Sequence, residues 1–162
     1  MTRSKILFTG FKKINPRDNN SSCVLLEDLP NTRCFLFTND FAVIDKEIDT
    51  IFEEHWDKIV MFGQKPVIKR LSVEKCAKFS DEILWSNYDF IGLKSILTED
   101  KIDFKWSENP GHSYCNYAYF RILKKIQSSL SNTKVVFIHI PYVKNFVSYD
   151  AFRNLLLEME TF

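Results

Sequence analysis

The sequence predicts a three-layer α/β/α sandwich built on a mostly parallel, mixed central sheet. Strand-forming runs that are apolar on both faces alternate along the chain with amphipathic helical patterns. No internal repeat and no long linker divides the chain of 162 residues. We therefore expect residues 1–162 to form a single domain.

The N-terminal half opens with a short apolar strand at residues 5–9, which ends at Gly10 and is followed by a polar turn. A second apolar run at 33–40 predicts another strand. Apolar residues at helical spacing then predict an amphipathic helix over 41–56, which Asn39 or Asp40 could cap. Residues 58–63 predict a buried strand that ends at a glycine.

The second half continues the alternation. Residues 65–79 are expected to be extended, 86–97 helical, and 98–108 a polar connection or an edge strand. A helix begins at Cys115, and its apolar stripe lies on Cys115, Tyr119, Ile122, Leu123, Ile126 and Leu130. A β-branched and aromatic strand follows at 134–142. The last helix is expected after Ser148, its N-cap, with Phe152, Leu155, Leu156 and Met159 facing inward.

Composition and charge exclude several classes of protein. The net charge is +1 and the pI is about 7.6, too weak a field to attract nucleic acid or an anionic membrane. No apolar run reaches 18 residues, so we expect no membrane span and no signal peptide, and we expect a cytoplasmic protein. The four cysteines form no C-x-x-C pair, so neither a metal site nor a cofactor is expected.

Three residues stand where an α/β sheet usually places its chemistry. Cys115 lies at a predicted helix N-terminus, where the helix dipole stabilises a thiolate and lowers its pKa. His139 lies in an apolar strand, and Glu74 follows the strand that ends at Gly63. A thiol, a base and an orienting carboxylate together suit nucleophilic catalysis. Read singly, Cys115 is a buried thiol, His139 a core histidine bonded to a carbonyl, and Glu74 a solvated carboxylate.

Five sequence blocks, in order from residue 6 to residue 142, resemble the pyroglutamyl peptidase I (pyrrolidone-carboxylate peptidase) family of cytosolic cysteine peptidases. The blocks are "ILFTGF" with "INP" (6–16), "MFGQ" (61–64), "VEK" (73–75), "SENPGHSYCNYAYF" (107–120) and "FIHIPY" (137–142). The interval between Cys115 and His139 is also the family's. The resemblance implies the phosphorylase/hydrolase-like form of the predicted sandwich.

The resemblance also implies a function. Cys115 would be the nucleophile, His139 the base and Glu74 the residue that orients it, in a thiol peptidase that removes N-terminal pyroglutamyl groups. Gln64 matches a residue used through its backbone beside the pyroglutamyl ring, and Phe11 matches a pocket aromatic. The partner would be a peptide with a blocked N-terminus, and the family's homotetramers imply a homo-oligomer.

The chain departs from the family pattern around the substrate pocket. The turn after the first strand is about five residues shorter, and Lys65, Pro66 and Val67 replace a glycine-containing run. Leu84 stands where the family has an arginine that helps to hold the oxyanion. These departures leave two alternatives: a thiol amidase with another substrate, or an impaired family member that acts as a binding protein. They also allow an altered or monomeric oligomeric state.

Overall fold

The computed structural model describes residues 3–159. The strands are β1 (Ile6–Phe11), β2 (Cys34–Phe37), β3 (Lys58–Gln64), β4 (Leu71–Glu74), β5 (Cys76–Phe79), β6 (Glu82–Trp85), β7 (Phe104–Ser107) and β8 (Lys134–Ile140). The helices are α1 (Ser21–Glu27), α2 (Phe41–Ile51), α3 (Phe90–Glu99), α4 (Tyr114–Ser129) and α5 (Tyr149–Met159), and a 3-10 turn spans Val143–Asn145.

Six of the strands form one mixed sheet in the order β2-β1-β3-β8-β4-β7. The first four run parallel to one another, whereas β4 is antiparallel to β8 and parallel to β7. The carboxyl ends of β3 and β8 therefore meet at one edge, with Gly63 paired to His139 and Gln64 paired to Ile140. The predicted fold class, an α/β fold with a mostly parallel mixed sheet, is confirmed.

Apolar side chains cover both faces of this sheet, which gives the molecule three layers. On one face, buried residues of α1, α3 and α5 pack against side chains such as Phe8 and Phe62. On the other face, α2 and α4 pack against Met61 and Phe137. The strands β1, β3 and β8 are buried on both sides, because helices cover both faces of them.

Two elements were missed from the sequence. Helix α1 has only seven residues, too short to display a helical period, and its start depends on Asn20, whose side chain accepts from the Ser22 and Cys23 N–H groups. The strands β5 and β6 form a separate antiparallel hairpin. In this hairpin Ser80 has a φ of 55°, in the left-handed region, so the turn forms without the glycine that usually signals one.

Two predicted helix boundaries were wrong. The helix that begins at Phe41 ends at Ile51, and Trp56 lies beyond it, buried, with its indole N–H donating to the Ile51 carbonyl. Leu130 was assigned to the buried stripe of α4, but it is 92% exposed. It forms the C-cap of α4 in the left-handed conformation, which turns its side chain away from the sheet.

None of the helices within residues 3–159 combines the length and the apolar character needed to cross a membrane.

Candidate active site

The imidazole of His139 and the carboxylate of Glu74 are in contact inside the protein. His139 Nδ1 lies 2.8 Å from Glu74 Oε1, and the two side chains are 5% and 0% exposed. Because a carboxylate only accepts, Nδ1–H is the donor. This contact fixes the tautomer and leaves His139 Nε2 with the lone pair that a base requires.

Three side chains, those of His139, Ser72 and Tyr119, form hydrogen bonds with Glu74. Its Oε1 also accepts a hydrogen bond from Ser72 Oγ at 3.1 Å, and its backbone carbonyl accepts from Tyr119 Oη at 2.9 Å. Its second carboxylate oxygen, Oε2, is buried and has no hydrogen-bond partner within residues 3–159. Read alone, Glu74 suggested a solvated carboxylate, and that interpretation was wrong. A buried carboxylate without full pairing is costly and commonly marks a functional site.

Cys115 lies in the first turn of α4, directly over the end of β3. A methyl group built on Gly63 would be 2.5 Å from Cys115 Sγ, so the missing side chain of this glycine makes room for the sulfur. Gly63 is the cross-strand partner of His139, and neighbouring strands lie about 4.8 Å apart. The sulfur therefore lies over the strand next to the one that carries His139, on the face that carries the imidazole beside Phe137.

The start of α4 is fastened to the rest of the protein by side-chain hydrogen bonds. The Asn116 amide accepts from the Lys78 N–H at 2.9 Å and donates to the Lys78 carbonyl at 2.6 Å. Tyr119, one turn later, bonds to the Glu74 backbone. Ser72, Asn116 and Tyr119 were not predicted as site residues. Asn116 directly follows Cys115, and this adjacency was the signal in the sequence that could have identified it.

The pKa of the Cys115 thiol differs from the sequence-based expectation. Burial of the sulfur raises its pKa to about 12, and the Glu74 charge adds to this rise. Hydrogen bonds from Ser113 and from the Cys115 backbone act in the opposite direction but do not overcome the loss of solvation. The expected lowering at the helix N-terminus is therefore outweighed, and Cys115 is protonated at rest.

Alkylation by iodoacetamide tests this protonation state. Because the raised pKa leaves only a small thiolate fraction at neutral pH, the rate at Cys115 should rise about tenfold per pH unit. We expect no plateau between pH 6 and pH 10 when modified peptides are quantified by mass spectrometry. The exposed Cys34 of the same sample reports the intrinsic reactivity of the reagent. A plateau below pH 7 would contradict the expectation and indicate a resting thiolate.

The two predicted substrate-binding residues lie at the same sheet edge as Cys115. The Phe11 side chain is only 2% exposed and packs against Phe37, with ring centroids 5.6 Å apart, so it offers almost no surface to a ligand in this structure. The Gln64 side chain accepts hydrogen bonds from the Ser21 N–H and hydroxyl at 2.8 and 2.9 Å. Its amide is therefore engaged with α1.

Leu84 and His112 do not lie together with the other candidate site residues. Leu84 lies in the hairpin strand β6, where it pairs with Ala77 and packs in the core beside Leu123, two turns of α4 away from Cys115. The position of the expected arginine is thus part of the apolar core. The His112 side chain is exposed in the loop before α4. Residues 3–159 hold no group of three or more His, Cys, Asp or Glu side chains arranged to bind a metal ion.

Individual known proteins match this chain over most of its length, but no protein-family model matches it. A pyrrolidone-carboxylate peptidase of Thermosipho melanesiensis is 23% identical over 175 aligned positions, which cover 87% of this chain and 84% of that protein. The sequence resemblance to this group of enzymes is confirmed.

Solved structures extend this similarity to the fold. A mutant pyrrolidone carboxyl peptidase from Pyrococcus furiosus superimposes with a TM-score of 0.81 at 18% identity, over 97% of this chain and 96% of that one. Pyroglutamyl peptidase I of Bacillus amyloliquefaciens gives 0.81 at 18% identity, over 98% and 93%. The chain therefore resembles pyrrolidone-carboxylate peptidases in sequence and has their α/β fold.

Proposed function

We propose that this chain is a cysteine peptidase that removes an N-terminal pyroglutamyl group from peptides. The observation that carries the proposal is the arrangement of the three residues. Cys115 Sγ lies over Gly63, the strand partner of His139, and His139 Nδ1 is bonded to the buried carboxylate of Glu74. The similarity to pyrrolidone-carboxylate peptidases supports the same substrate class.

The first half of the reaction forms a thioester. Cys115 Sγ attacks the carbonyl carbon that joins the pyroglutamyl ring to the next residue, and His139 Nε2 takes the thiol proton. Glu74 stabilises the imidazolium that results. The tetrahedral intermediate collapses by breaking the C–N bond, and His139 returns the proton to the leaving amine. The raised thiol pKa fits this order, because the proton leaves as the sulfur attacks.

The second half releases the product. Water gives a proton to His139 Nε2 and attacks the thioester, and the C–S bond breaks to yield free pyroglutamic acid and the Cys115 thiol. The oxyanion of both halves would be held by backbone N–H groups at the start of α4. The Ser113 side chain makes no capping hydrogen bond to them, so the N-cap residue does not occupy them. This arrangement supplies donors without an arginine at position 84.

The proposal includes a cytoplasmic location and self-association. Cys23, Cys76 and Cys115 are free thiols, and a reducing compartment would keep Cys115 as the thiol that the reaction requires. The hairpin carries the exposed apolar side chains of Ile83 and Trp85, a surface suited to contact between copies of the chain.

Hydrolysis of a fluorogenic pyroglutamyl amide tests the function. We expect turnover by the wild-type chain and none by Cys115→Ser, because the serine hydroxyl is a far weaker nucleophile than a thiol in this setting. The Cys34→Ser variant is the matched control, since it removes an exposed thiol remote from the site, and it should keep full activity. A wild-type chain that is folded but inactive, or equal activity in Cys115→Ser, would overturn the proposal.

A further inference from the structure

A cleft of about 670 Å³ lies at the same edge of the sheet as Cys115 and His139. One wall comes from the strand ends, with Gln64 at the end of β3 and Tyr142 just after β8. The opposite wall comes from residues 17–19 of the loop before α1. Lys144, in the 3-10 turn, completes the lining. None of these residues takes part in the proposed catalytic steps, except that the Gln64 backbone borders the ring position.

This cleft adjoins the candidate nucleophile. Gln64 directly follows Gly63, the residue over which Cys115 Sγ lies. Tyr142 comes three residues after His139, just beyond the carboxyl end of β8, the strand paired with β3. Consecutive Cα atoms are 3.8 Å apart. Side chains alternate along a strand, so the Gln64 side chain and the cleft lie on the α1 face of the sheet, whereas Cys115 lies on the α4 face. A peptide whose scissile carbonyl is at Cys115 can therefore place a neighbouring group in the cleft by passing around the carboxyl ends of β3 and β8.

The cleft carries two cationic groups that no carboxylate neutralises. Within residues 3–159, neither the Arg17 guanidinium nor the Lys144 ammonium forms an ion pair. Lys144 Nζ instead lies over the Tyr142 ring, 5.7 Å from its centroid. Asp18, the carboxylate that lines the cleft, already accepts a hydrogen bond from the Ile14 backbone N–H at 3.0 Å. Two cations against one engaged carboxylate leave an excess of positive charge.

We infer that this cleft binds a carboxylate of the substrate, held by Arg17 and Lys144. The inference rests on the proposed peptidase function and refines its substrate class. An arginine fork and a lysine ammonium are both suited to a carboxylate, which forms charge-assisted hydrogen bonds with them. The carboxylate is either the free C-terminus of a short pyroglutamyl peptide or an acidic side chain next to the scissile bond. Neutral pyroglutamyl amides lack the group that this cleft recognises.

Two pairs of substrates separate the two sources of the carboxylate. Pyroglutamyl-alanine against pyroglutamyl-alaninamide tests the free C-terminus, and pyroglutamyl-glutamate amide against pyroglutamyl-glutamine amide tests the side chain. At low salt we expect kcat/KM for the acid to exceed that for its neutral partner by about tenfold in at least one pair. This ratio should fall toward one in Arg17→Gln and Lys144→Gln, and in 0.5 M salt, because the cations are exposed.

The control variant is Lys94→Gln, which removes an equally exposed cation on α3 and should leave the ratio unchanged. Equal kcat/KM for acid and neutral substrates, or a preference that survives in both cleft variants, would overturn the inference. If the wild type hydrolyses none of the four peptides, the proposed function fails separately. In that case, calorimetry measures the binding of the same peptide pairs to Cys115→Ser. Tighter binding of the acid that is lost when Arg17→Gln is added supports the cleft. Equal binding of the acid and its neutral partner rejects it.

Discussion

Glu74→Gln should lower kcat for a pyroglutamyl amide by about 10²- to 10⁴-fold while leaving KM within a few fold. Glutamine has the same shape, and its amide oxygen has two lone pairs that can still accept the hydrogen bonds that Glu74 Oε1 receives from Ser72 and His139. It carries no charge, however, so the imidazolium that forms when Cys115 attacks loses its stabilising partner. The substitution therefore destabilises the transition state and does not weaken substrate binding.

The matched control is Glu82→Gln, which makes the same change at an exposed carboxylate paired with Lys124 at 2.7 Å. Exposed pairs contribute at most about 1 kcal/mol, so this variant should keep both activity and stability. Steady-state kinetics and a urea titration of both variants provide the measurement. A Glu74→Gln chain that turns over at the wild-type rate would show that the buried carboxylate only stabilises the fold.

Gly63→Ala is expected to remove activity by a second route. The new methyl group would lie 2.5 Å from Cys115 Sγ and 2.7 Å from the Phe137 ring, both closer than van der Waals contact. Overpacking of this kind costs about 1–3 kcal/mol of unfolding free energy. Displacement of the sulfur by about 1 Å lowers the rate on the order of 100-fold. Urea denaturation and kcat/KM measure the two effects.

Gly92→Ala is the control for this substitution. A methyl group at Gly92 would also meet a neighbour, the exposed Asp89 side chain that caps α3 by accepting the Gly92 N–H at 2.9 Å. Moving this cap costs about 0.5–2 kcal/mol of stability, but it leaves Cys115 in place. Alanine also suits a helix better than glycine does. We expect Gly92→Ala to be as active as the wild type. Retention of activity within twofold by Gly63→Ala would contradict the close placement of Cys115 over β3.

Much of the sheet could be predicted from the sequence, because buried parallel strands leave continuous apolar runs such as residues 134–140. The short elements could not. Helix α1 depends on a cap and on packing against β1, and the β5–β6 hairpin depends on a turn residue with positive φ that carries no glycine signal. The local sequence does not show whether tertiary contacts stabilise such short elements.

The candidate site was predictable in residue types but not in environment. The residue types of Cys115, His139 and Glu74 suggested a nucleophile, a base and an orienting acid. The burial of Glu74 was not visible in the sequence, and desolvation of the Cys115 sulfur reverses the expected direction of its pKa shift. The hydrogen bonds of Ser72 and Tyr119 to Glu74 join residues that are adjacent in space, and in the case of Tyr119 distant in the chain.

The contact between Asn116 and Lys78 has a consequence for how this protein tolerates mutation. Both hydrogen bonds of the Asn116 amide end on the backbone of Lys78, so the side chain at position 78 is free to vary. Only proline is excluded there, because it lacks the N–H that Asn116 accepts. The position of Cys115 is thus encoded by the path of the main chain in the hairpin. Sequence drift at the exposed positions of β5 and β6 can accumulate without moving the sulfur, whereas Ala77 and Leu84 are constrained by the core.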